Sequence, residues 1–240
     1  MNRIEGIVLR RIPYLSKGVI LDLLTPTEKI AVILPGKNRG LAAETQPGNL
    51  VSLVVGHPRG SALPPVRELV ADTATADISR LSPYRSAQLL FICELTAHTT
   101  REQESGPRLY ELLYQTIRSL CHQGERFLCL RYTYQLARLL GFAPGYPEQT
   151  DAGGYFDLQS GVFVAEKPLH NYYLTPAHAA PFFALGDPEK SPDFAHEKDY
   201  LNLWHILMTY FSLHIEGFQR PRSLEFLQQL TRIEYFPPKE

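Results

Sequence analysis

The first eighty residues alternate between short apolar runs and turn residues. Each run is rich in branched aliphatic side chains and is bounded by glycine, proline or polar residues, which is typical of strands in an antiparallel sheet. The predicted strands are Ile4–Ile12, Val19–Leu24, Lys29–Leu34, Leu50–Val55 and Val66–Ala71. Five short strands with no helix between them predict a small barrel, and a five-stranded OB barrel is the leading interpretation. An SH3-like barrel or an open meander would produce the same pattern.

From residue 82 the apolar residues recur every three or four positions, which indicates helices. Ser82-Pro83 predicts the start of the first helix, because serine caps the first turn and proline lacks the amide donor that would be left unsatisfied there. Further helices are predicted to begin near Pro107, Phe127, Thr175-Pro176, Leu201 and Ser223. Proline and glycine interrupt residues 142–172, which we expect to form an irregular flap with a short hairpin.

The order of the elements predicts an α+β fold, with the strands first and the helices second. We expect two domains: an OB-fold nucleic-acid-binding domain at residues 1–80 and a helical domain carrying the flap at residues 81–240. Residues 1–80 contain ten Lys or Arg and seven Asp or Glu, whereas the remainder contains fourteen and eighteen. Phosphate binding needs local cations and not a basic chain overall, so the first domain is the better DNA candidate.

Apolar residues make up 44% of the chain and charged residues 20%, which is typical of a folded protein. The three cysteines form no CxxC pair, and free thiols suit a reducing cytosol. The amino terminus lacks the apolar stretch of a signal peptide, and the most apolar segment, Leu203–Leu213, is too short to span a bilayer. We therefore expect a cytoplasmic protein with no membrane contact.

The chain contains no familiar catalytic motif, since GxGxxG, GxxxxGK[ST], HExxH and GxSxG are all missing from the sequence. The eight histidines are scattered, and the carboxylates Glu148 and Asp151 of the flap are more typical of a solvated surface than of a catalytic pair. We expect a protein that is not an enzyme and has no catalytic residue.

Basic residues in the first domain are concentrated at strand ends and in turns. The candidate DNA-binding residues are Arg10, Arg11, Lys17, Lys37, Arg39, Arg59 and Arg67. In an OB barrel the face of the second and third strands and the neighbouring loops bind oligonucleotides. An ordinary solvated surface is the alternative, because any eighty residues hold several cations. Tyr14 is the only aromatic residue in this part, so binding to the backbone is favoured over base stacking.

Six segments, in the same order and with compatible gaps, resemble those of the RecO family of bacterial recombination mediators. They are Glu5–Tyr14, Ile20–Pro26, Gly36–Gly40, Leu136–Pro144, His214–Phe218 and Arg220–Leu227. Many relatives also have two CxxC pairs around the flap that hold a structural zinc ion. Residues 144–168 contain no cysteine or histidine here. We therefore expect no zinc and no other cofactor, with the flap held by packing of Tyr155, Phe156 and Phe163.

The resemblance implies a DNA-binding protein of recombinational repair in the RecF pathway. Such proteins bind single- and double-stranded DNA, anneal complementary strands and help to load RecA onto single-stranded DNA covered by the single-strand binding protein SSB. The implied partners are DNA, RecR, the acidic C-terminal tail of SSB and, indirectly, RecA. The implied location is the cytoplasm, in association with the nucleoid.

The SSB tail requires an apolar pocket with a neighbouring cation. Phe127, Arg131, Tyr134 and Arg138 on the third predicted helix are the candidates, and exposed helix arginines with no such role are the alternative. Two rival functions stay open: a non-catalytic protein–protein adaptor that has lost DNA binding, and a hydrolase with a site in the flap.

Overall fold

The computed structural model describes residues 3–14, 18–36, 41–58, 60, 62–72, 78–100, 106–122, 125–144, 154–187 and 194–237. The strands within these ranges are β1 (Arg3–Tyr14), β2 (Gly18–Leu24), β3 (Lys29–Pro35), β4 (Leu50–Val55), β5 (Val66–Ala71), β6 (Tyr155–Asp157), β7 (Val162–Val164) and β8 (Tyr173–Leu174). The helices are α1 (Pro83–Thr99), α2 (Pro107–His122), α3 (Leu128–Leu139), α4 (Pro176–Ala184), α5 (Glu197–His214) and α6 (Ser223–Tyr235). The predicted α+β order, with strands first, is confirmed.

The first five strands form one antiparallel sheet in the order β3-β2-β1-β4-β5. Every second side chain of these strands enters a common aliphatic core, as the period of two residues in a strand requires. This core includes Val8, Leu21, Leu23, Val32, Val51 and Leu53. The edge strands approach each other where Ile33 N–H donates to the Pro64 carbonyl at 3.0 Å. Among the described residues this single bridge does not close the sheet into a barrel.

Helix α1 is joined to the sheet by a buried lysine. Ile7, Leu24 and Lys29 lie in one cross-strand row on β1, β2 and β3, and all three are buried. The Lys29 ammonium donates to the carbonyls of Ala97 and Thr100 at 2.8 and 2.9 Å. These carbonyls belong to the last turn of α1 and to Thr100, the residue that caps its end, where the helix dipole concentrates negative charge. Lys29 therefore satisfies two acceptors that the helix itself cannot.

The beginning of α6 is held by a side chain of α1. Both oxygens of the Glu94 carboxylate accept hydrogen bonds, from the Arg222 N–H at 3.1 Å and the Ser223 N–H at 2.9 Å, and the Ser223 hydroxyl also donates to it. A carboxylate at a helix amino terminus pairs the free amide donors and opposes the positive end of the dipole. Helix α1 is thus bonded at its end by Lys29 and in its interior to α6.

Three helices, α1, α4 and α6, were predicted to begin at a serine or threonine, and these residues have different roles in the structure. The Ser82 hydroxyl accepts from the Arg85 N–H at 3.3 Å, as predicted for a cap. Thr175 precedes α4 as predicted, but its hydroxyl is bonded to the His178 ring at 3.0 Å and caps no amide. Ser223 is the first residue of α6, and the capping acceptor there is Glu94 instead. A side chain from a distant helix thus takes the place of the local cap.

The flap region contains a three-stranded sheet in the order β7-β6-β8. The predicted hairpin of β6 and β7 is confirmed, whereas β8 was not predicted because two residues give no periodicity. Phe156 is fully buried, with its ring centroid 5.2 Å from that of Phe163 and 5.0 Å from that of Phe183. Tyr155 meets Tyr173 edge to face at 5.4 Å. All three predicted aromatic residues therefore contribute to this packing.

The chain divides into two compact units, residues 1–125 with 221–230 and residues 126–220 with 231–240. The predicted domain boundary at residue 80 marks the change from strands to helices, which lies between β5 and α1. The boundary between the compact units lies after residue 125 instead. Helices α1 and α2 belong to the same unit as the strands, because α1 packs on β1 and α2 packs on α1. Within the described residues, no helix combines the length and the apolar character needed to cross a membrane.

Replacing Lys29 with methionine keeps the length of the side chain but removes both hydrogen bonds to the end of α1. We expect the K29M variant to lose about 1–3 kcal/mol of unfolding free energy. Urea unfolding followed by circular dichroism measures this loss. The matched control is K198M, since Lys198 is exposed and should change stability by no more than about 0.5 kcal/mol. Equal effects of the two substitutions would contradict the assigned role of Lys29.

Glu94 makes the stability of the first unit depend on pH. Burial alone would raise the pKa of Glu94, but the hydrogen bonds from Ser223 and Arg222, together with His98, lower it below its ordinary value of 4.5. The carboxylate contribution is therefore present above pH 4.5 and is lost as the pH falls through the folded-state pKa. We expect E94Q to be less stable than the parent at pH 7, and the difference to shrink as the pH falls below 4.5 toward the folded-state pKa. Urea unfolding across this range tests this, with E111Q on the exposed face of α2 as the control.

Candidate nucleic-acid interface

One part of the sheet surface is left exposed beside the region that α1 covers. Ile12, Ile20 and Ile33 form a row across β1, β2 and β3 on the face opposite the aliphatic core. Ile12 is 39% exposed and Tyr14, two residues further along β1, is 40% exposed. An apolar row with an accessible tyrosine is unusual on a solvated surface and indicates a contact surface.

Arg10 lies on this same face but is partly neutralised. Its guanidinium donates to the Asp22 carboxylate, with Nε 2.8 Å from Oδ2, and the Arg10 side chain keeps 37% of its surface exposed. Arg10 and Asp22 are direct cross-strand partners. A cation already paired with a carboxylate attracts a phosphate less strongly than a free one. Arg10 is therefore accessible but electrostatically weakened.

Arg11 lies on the other face of the sheet. It pairs across the strands with the fully buried Leu21, which belongs to the core. Its Nε donates to the Thr45 hydroxyl at 3.2 Å, and Thr45 is itself fully buried. Adjacent residues on a strand point in opposite directions, so Arg10 and Arg11 cannot contact the same DNA backbone from one surface. The structure separates these two predicted residues.

Arg67 is exposed on β5 and lies over the backbone of Gly56. A Cβ atom at Gly56 would come within 2.8 Å of the Arg67 Nε atom. The Gly56 N–H in turn donates to the Pro65 carbonyl at 2.8 Å. Glycine at position 56 therefore leaves the space in which the guanidinium lies, at the end of the sheet where β4 and β5 are connected.

Lys17, Lys37, Arg39 and Arg59 lie outside the described residues. The described strand ends next to Lys17, Lys37 and Arg39 share one end of the sheet. Tyr14, Gly18 and Pro35 lie in one cross-strand row, and Ile33, two residues before Pro35, bridges to Pro65. The ends of β4 and β5 between which Arg59 lies in the sequence, and Arg67 with them, are opposite Arg3 at the start of β1. The Ile33–Pro65 bridge brings these ends beside the end of β3, where the segments that carry Lys17, Lys37 and Arg39 depart.

Other kinds of chemistry find little support in the described parts of the chain. No group of three or more His, Cys, Asp or Glu side chains there is arranged to hold a metal ion. Burial raises the pKa of the Cys93 thiol to about 12, which makes it a poor nucleophile. Glu148 and Asp151, the carboxylates of the rival hydrolase hypothesis, lie outside the described residues.

The residues predicted for the SSB tail are placed in two environments. Phe127 and Tyr134 are each only 2% exposed. Phe127 packs among the rings of Phe194, Tyr200 and Tyr235, with centroid distances of 4.8 to 5.8 Å, and Tyr134 packs against Phe182 at 5.7 Å. These two rings fill the core of the second unit and do not line an open pocket.

The two arginines of that set also differ. The Arg131 guanidinium donates to the Asp187 carbonyl at 2.8 Å, which ties α3 to the residues after α4. Arg138 is exposed near the end of α3. Of the four residues, Arg138 alone therefore offers an accessible cation. Their contact with a peptide stays a prediction.

A recess close to Phe127 was not found from the sequence. It has a volume of about 610 Å³ and is lined by residues before and within α5 and at the end of α6, among them His196, Arg232 and Phe236. Arg126 lies above the ring of Tyr235, a further lining residue, at 4.3 Å. In the sequence, the adjacent aromatic residues Tyr235 and Phe236 could have indicated this recess. Helical spacing alone did not distinguish them from core residues.

Comparison with known proteins places this structure in a family. The profile described as Recombination protein O C terminal matches residues 80–222, which is more than half of the chain. The chain belongs to the RecO family. Since that is a family of DNA repair and recombination proteins, the chain has a role in DNA repair.

Curated relatives extend the similarity over the strands as well. The DNA repair protein RecO of Phocaeicola vulgatus is 26% identical over 241 residues, covering 96% of this chain and 99% of its own. The RecO protein of Pelodictyon phaeoclathratiforme is 27% identical, with 94% and 97% covered. That of Azobacteroides pseudotrichonymphae is 27% identical over 202 residues, with 77% and 78% covered. The predicted family is thereby confirmed.

Burial makes a testable distinction between Phe127 and Arg138, which were predicted to share one pocket. We expect F127A to lose about 3–5 kcal/mol of unfolding free energy, because it empties space in an aromatic core. R138A should change stability by less than about 0.5 kcal/mol. Thermal and urea unfolding of the two variants measure the difference. A mild effect of F127A, similar to that of R138A, would mean that Phe127 lies at a surface.

Proposed function

We propose that this protein binds DNA at the exposed end of its five-stranded sheet, anneals complementary strands and helps to load RecA onto single-stranded DNA covered by SSB. The observation that carries the proposal is the convergence at this end. An apolar row lies there, beside the exposed Arg67 and the accessible Arg10, which is paired with Asp22. The described strand ends around this row are those that flank, in the sequence, the segments with Lys17, Lys37, Arg39 and Arg59. Membership of a family of DNA repair proteins supports the same reading.

Annealing of this kind needs no bond to be made or broken. Cations along a surface neutralise phosphates and release counterions, and this lowers the repulsion between two strands held side by side. Tyr14 and the row of Ile12, Ile20 and Ile33 would contact sugars and bases through apolar surface. Such contacts tolerate any sequence, which suits a repair protein that acts on whatever strand is damaged. We infer that the protein is not an enzyme.

The rival function, a protein–protein adaptor without DNA binding, is favoured by one specific observation. Arg10 is paired with Asp22, and Arg11 is turned toward Thr45 on the other face of the sheet. Two of the predicted phosphate contacts are thus weakened or misplaced. The adaptor function therefore predicts that the remaining cations are too few for measurable DNA affinity.

Among partners, we propose RecR and the acidic C-terminal tail of SSB. For the tail, the recess beside Tyr235 and Phe236 offers apolar walls, and the Arg232 side chain is 66% exposed although it also contacts Glu197 at 3.3 Å. An exposed arginine beside aromatic walls matches the needs of a terminal carboxylate on an apolar side chain. Arg138 and Arg131 stay as alternative cations for the same tail.

We also propose that the flap needs no zinc ion or other cofactor, since aromatic packing around Phe156 can replace the metal of the relatives. The working location under this proposal is the cytoplasm, in association with the nucleoid.

Salt-dependent binding of a labelled single-stranded oligonucleotide tests the DNA proposal. We expect the parent affinity to fall steeply as salt rises, and the K37E/R39E and R67E variants to bind more weakly at every salt concentration. Each phosphate contact removed should lower the slope of log affinity against log salt by roughly one. Fluorescence anisotropy in a salt series measures both quantities.

The control for charge reversal is K198E, which changes an exposed lysine of the second unit. It should leave the affinity and the salt slope unchanged. Absence of binding by the parent protein at low salt would overturn the proposal and favour the adaptor. Equal losses for K198E and R67E would mean that only the net charge matters, and not the end of the sheet.

Binding to purified SSB tests the assignment of the recess. We expect R232E to weaken binding of full-length SSB roughly tenfold, the amount typical of a charge-assisted hydrogen-bond pair, because it reverses the charge beside the carboxylate. SSB without its C-terminal tail should bind neither protein. R138E is the comparison variant: weaker binding of R138E with unchanged binding of R232E would move the site to α3.

A further inference from the structure

A small cleft in the first unit has the opposite electrostatic character to the proposed DNA surface. Its lining includes Glu5 on β1, Ser52 on β4, Val70 and Asp72 at the end of β5, and Tyr110 on α2; these five residues are called the acidic cleft below. Its volume is about 150 Å³, roughly ten times the space that a single water molecule needs. No lysine or arginine is found among the described residues that line it.

The register of the sheet sets up three walls of the acidic cleft. Glu5 pairs with Ser52 across β1 and β4, and Ser52 pairs with Val70 across β4 and β5. Directly paired residues point to the same face of a sheet, so the three side chains form one continuous row. The row changes from a carboxylate to a hydroxyl and then to an aliphatic side chain. Such a gradient from charged to apolar suits an amphipathic ligand group.

Two observations indicate that this row is incomplete as it stands. The Ser52 hydroxyl oxygen is buried and has no hydrogen-bond partner within the described part of the chain. A buried hydroxyl without a partner costs free energy, so a ligand that supplies the partner is stabilised there. Glu5 is exposed and takes part in no ion pair among the described residues. An exposed carboxylate that is in no ion pair thus lies beside a buried hydroxyl oxygen that lacks a hydrogen-bond partner.

Tyr110 forms the remaining wall, and its pKa responds to the negative charges around the acidic cleft. Burial and then the negative charge of Glu5 raise the pKa of Tyr110, with smaller contributions from Tyr114, Glu111 and Asp72. The electron-rich face of a phenol ring attracts cations. Its ring stacks on that of Tyr114, with 6.3 Å between centroids and 6° between planes, which fixes the orientation of the Tyr110 ring.

We propose that the acidic cleft receives an arginine side chain of a partner protein. The planar guanidinium fits this set of groups better than an ammonium ion does. It donates two parallel hydrogen bonds to a carboxylate, stacks on an aromatic ring and still has a donor for the Ser52 hydroxyl oxygen. Phosphate is excluded as the ligand, because Glu5 and Asp72 repel it. DNA and the arginine partner therefore bind to different surfaces of the same unit.

The apolar residues at the edge of the acidic cleft favour a protein ligand over a free small cation. Val70 is 55% exposed, and Tyr110 is half-buried at the edge of the acidic cleft. Arginine and aromatic residues surrounded by apolar contacts are typical of the centre of protein–protein interfaces. A polyamine would gain nothing from an exposed valine, whereas the backbone and neighbouring side chains of a partner would cover it.

Amide spectra of the full-length ¹⁵N-labelled protein test the proposal. The probe is an arginine tripeptide with glycine on either side and blocked ends, compared with the same peptide carrying citrulline, which keeps the shape but has no charge. We expect saturable shifts of the Gly6, Ser52 and Ala71 amides with the arginine peptide. The citrulline peptide and the E5Q variant should each bind roughly two- to fivefold more weakly, as for a partly exposed ion pair.

The matched control is E68Q, since Glu68 is an exposed carboxylate on the same strand as Val70 and does not line the acidic cleft. E68Q should bind the arginine peptide as the parent does. Equal affinities for arginine and citrulline, or shifts spread over all acidic surfaces, would overturn the proposal. Equal or tighter binding of spermidine, unaffected by V70S, would overturn the protein partner and assign the cleft to a free cation. The E5Q variant should bind DNA as the parent does.

Discussion

The buried ammonium of Lys29 is the interaction on which the first unit depends most. It lies on the face of the sheet opposite the aliphatic core and donates to two carbonyls at the end of α1. A helix end and a lysine are each costly to bury alone, because both carry unsatisfied polar groups. Placed together they satisfy each other, and α1 is fixed to β3 at a distance of 68 and 71 residues along the chain.

This constraint decides which part of the sheet is free for other contacts. The row of Ile7, Leu24 and Lys29 is buried, whereas the row of Ile12, Ile20 and Ile33 on the same face stays partly exposed. Because α1 is held at one end of that face, the opposite end keeps its apolar row accessible, together with Arg10 and, across the Ile33–Pro65 bridge, Arg67. The surface proposed for DNA is therefore a consequence of where the helix is anchored.

The polar contacts of α1 explain why its surroundings form one unit with the strands. Glu94 bonds the first residue of α6 while Lys29 bonds the end of α1, so a single helix links elements from both ends of the sequence. A division of the chain by secondary structure alone separates β5 from α1 at about residue 80. The contacts instead group α1 and α2 with the strands. Ion pairs and hydrogen bonds between distant residues leave no periodic signal in the sequence.

The sequence predicted the strands within one or two residues because apolar runs such as Val19–Leu24 and Leu50–Val55 are bounded by turn residues, and their buried side chains lie within the sheet. It also predicted the family, from motifs at both ends of the chain. It could not separate Arg10 from Arg11 by function, because the partners Asp22 and Thr45 become neighbours only through strand register and a distant turn.

Helical spacing likewise placed Phe127 and Tyr134 beside Arg131 on α3, but it could not show that other aromatic rings cover them. The acidic cleft could not be predicted either, because Glu5, Ser52 and Tyr110 come from three distant segments of the chain. What a periodic pattern records is burial along one element. What it omits is which other element covers that face.

The most direct test of the account is hydrogen–deuterium exchange with and without a single-stranded oligonucleotide. We expect DNA to slow the exchange of peptides that cover the ends of β1, β2 and β3 near Tyr14, Gly18 and Pro35, and of the start of β5 near Arg67. Exchange in α3 and α5 should be unchanged. Slower exchange in α3 and α5, with no change in the sheet, would place DNA binding on the second unit and contradict the central claim.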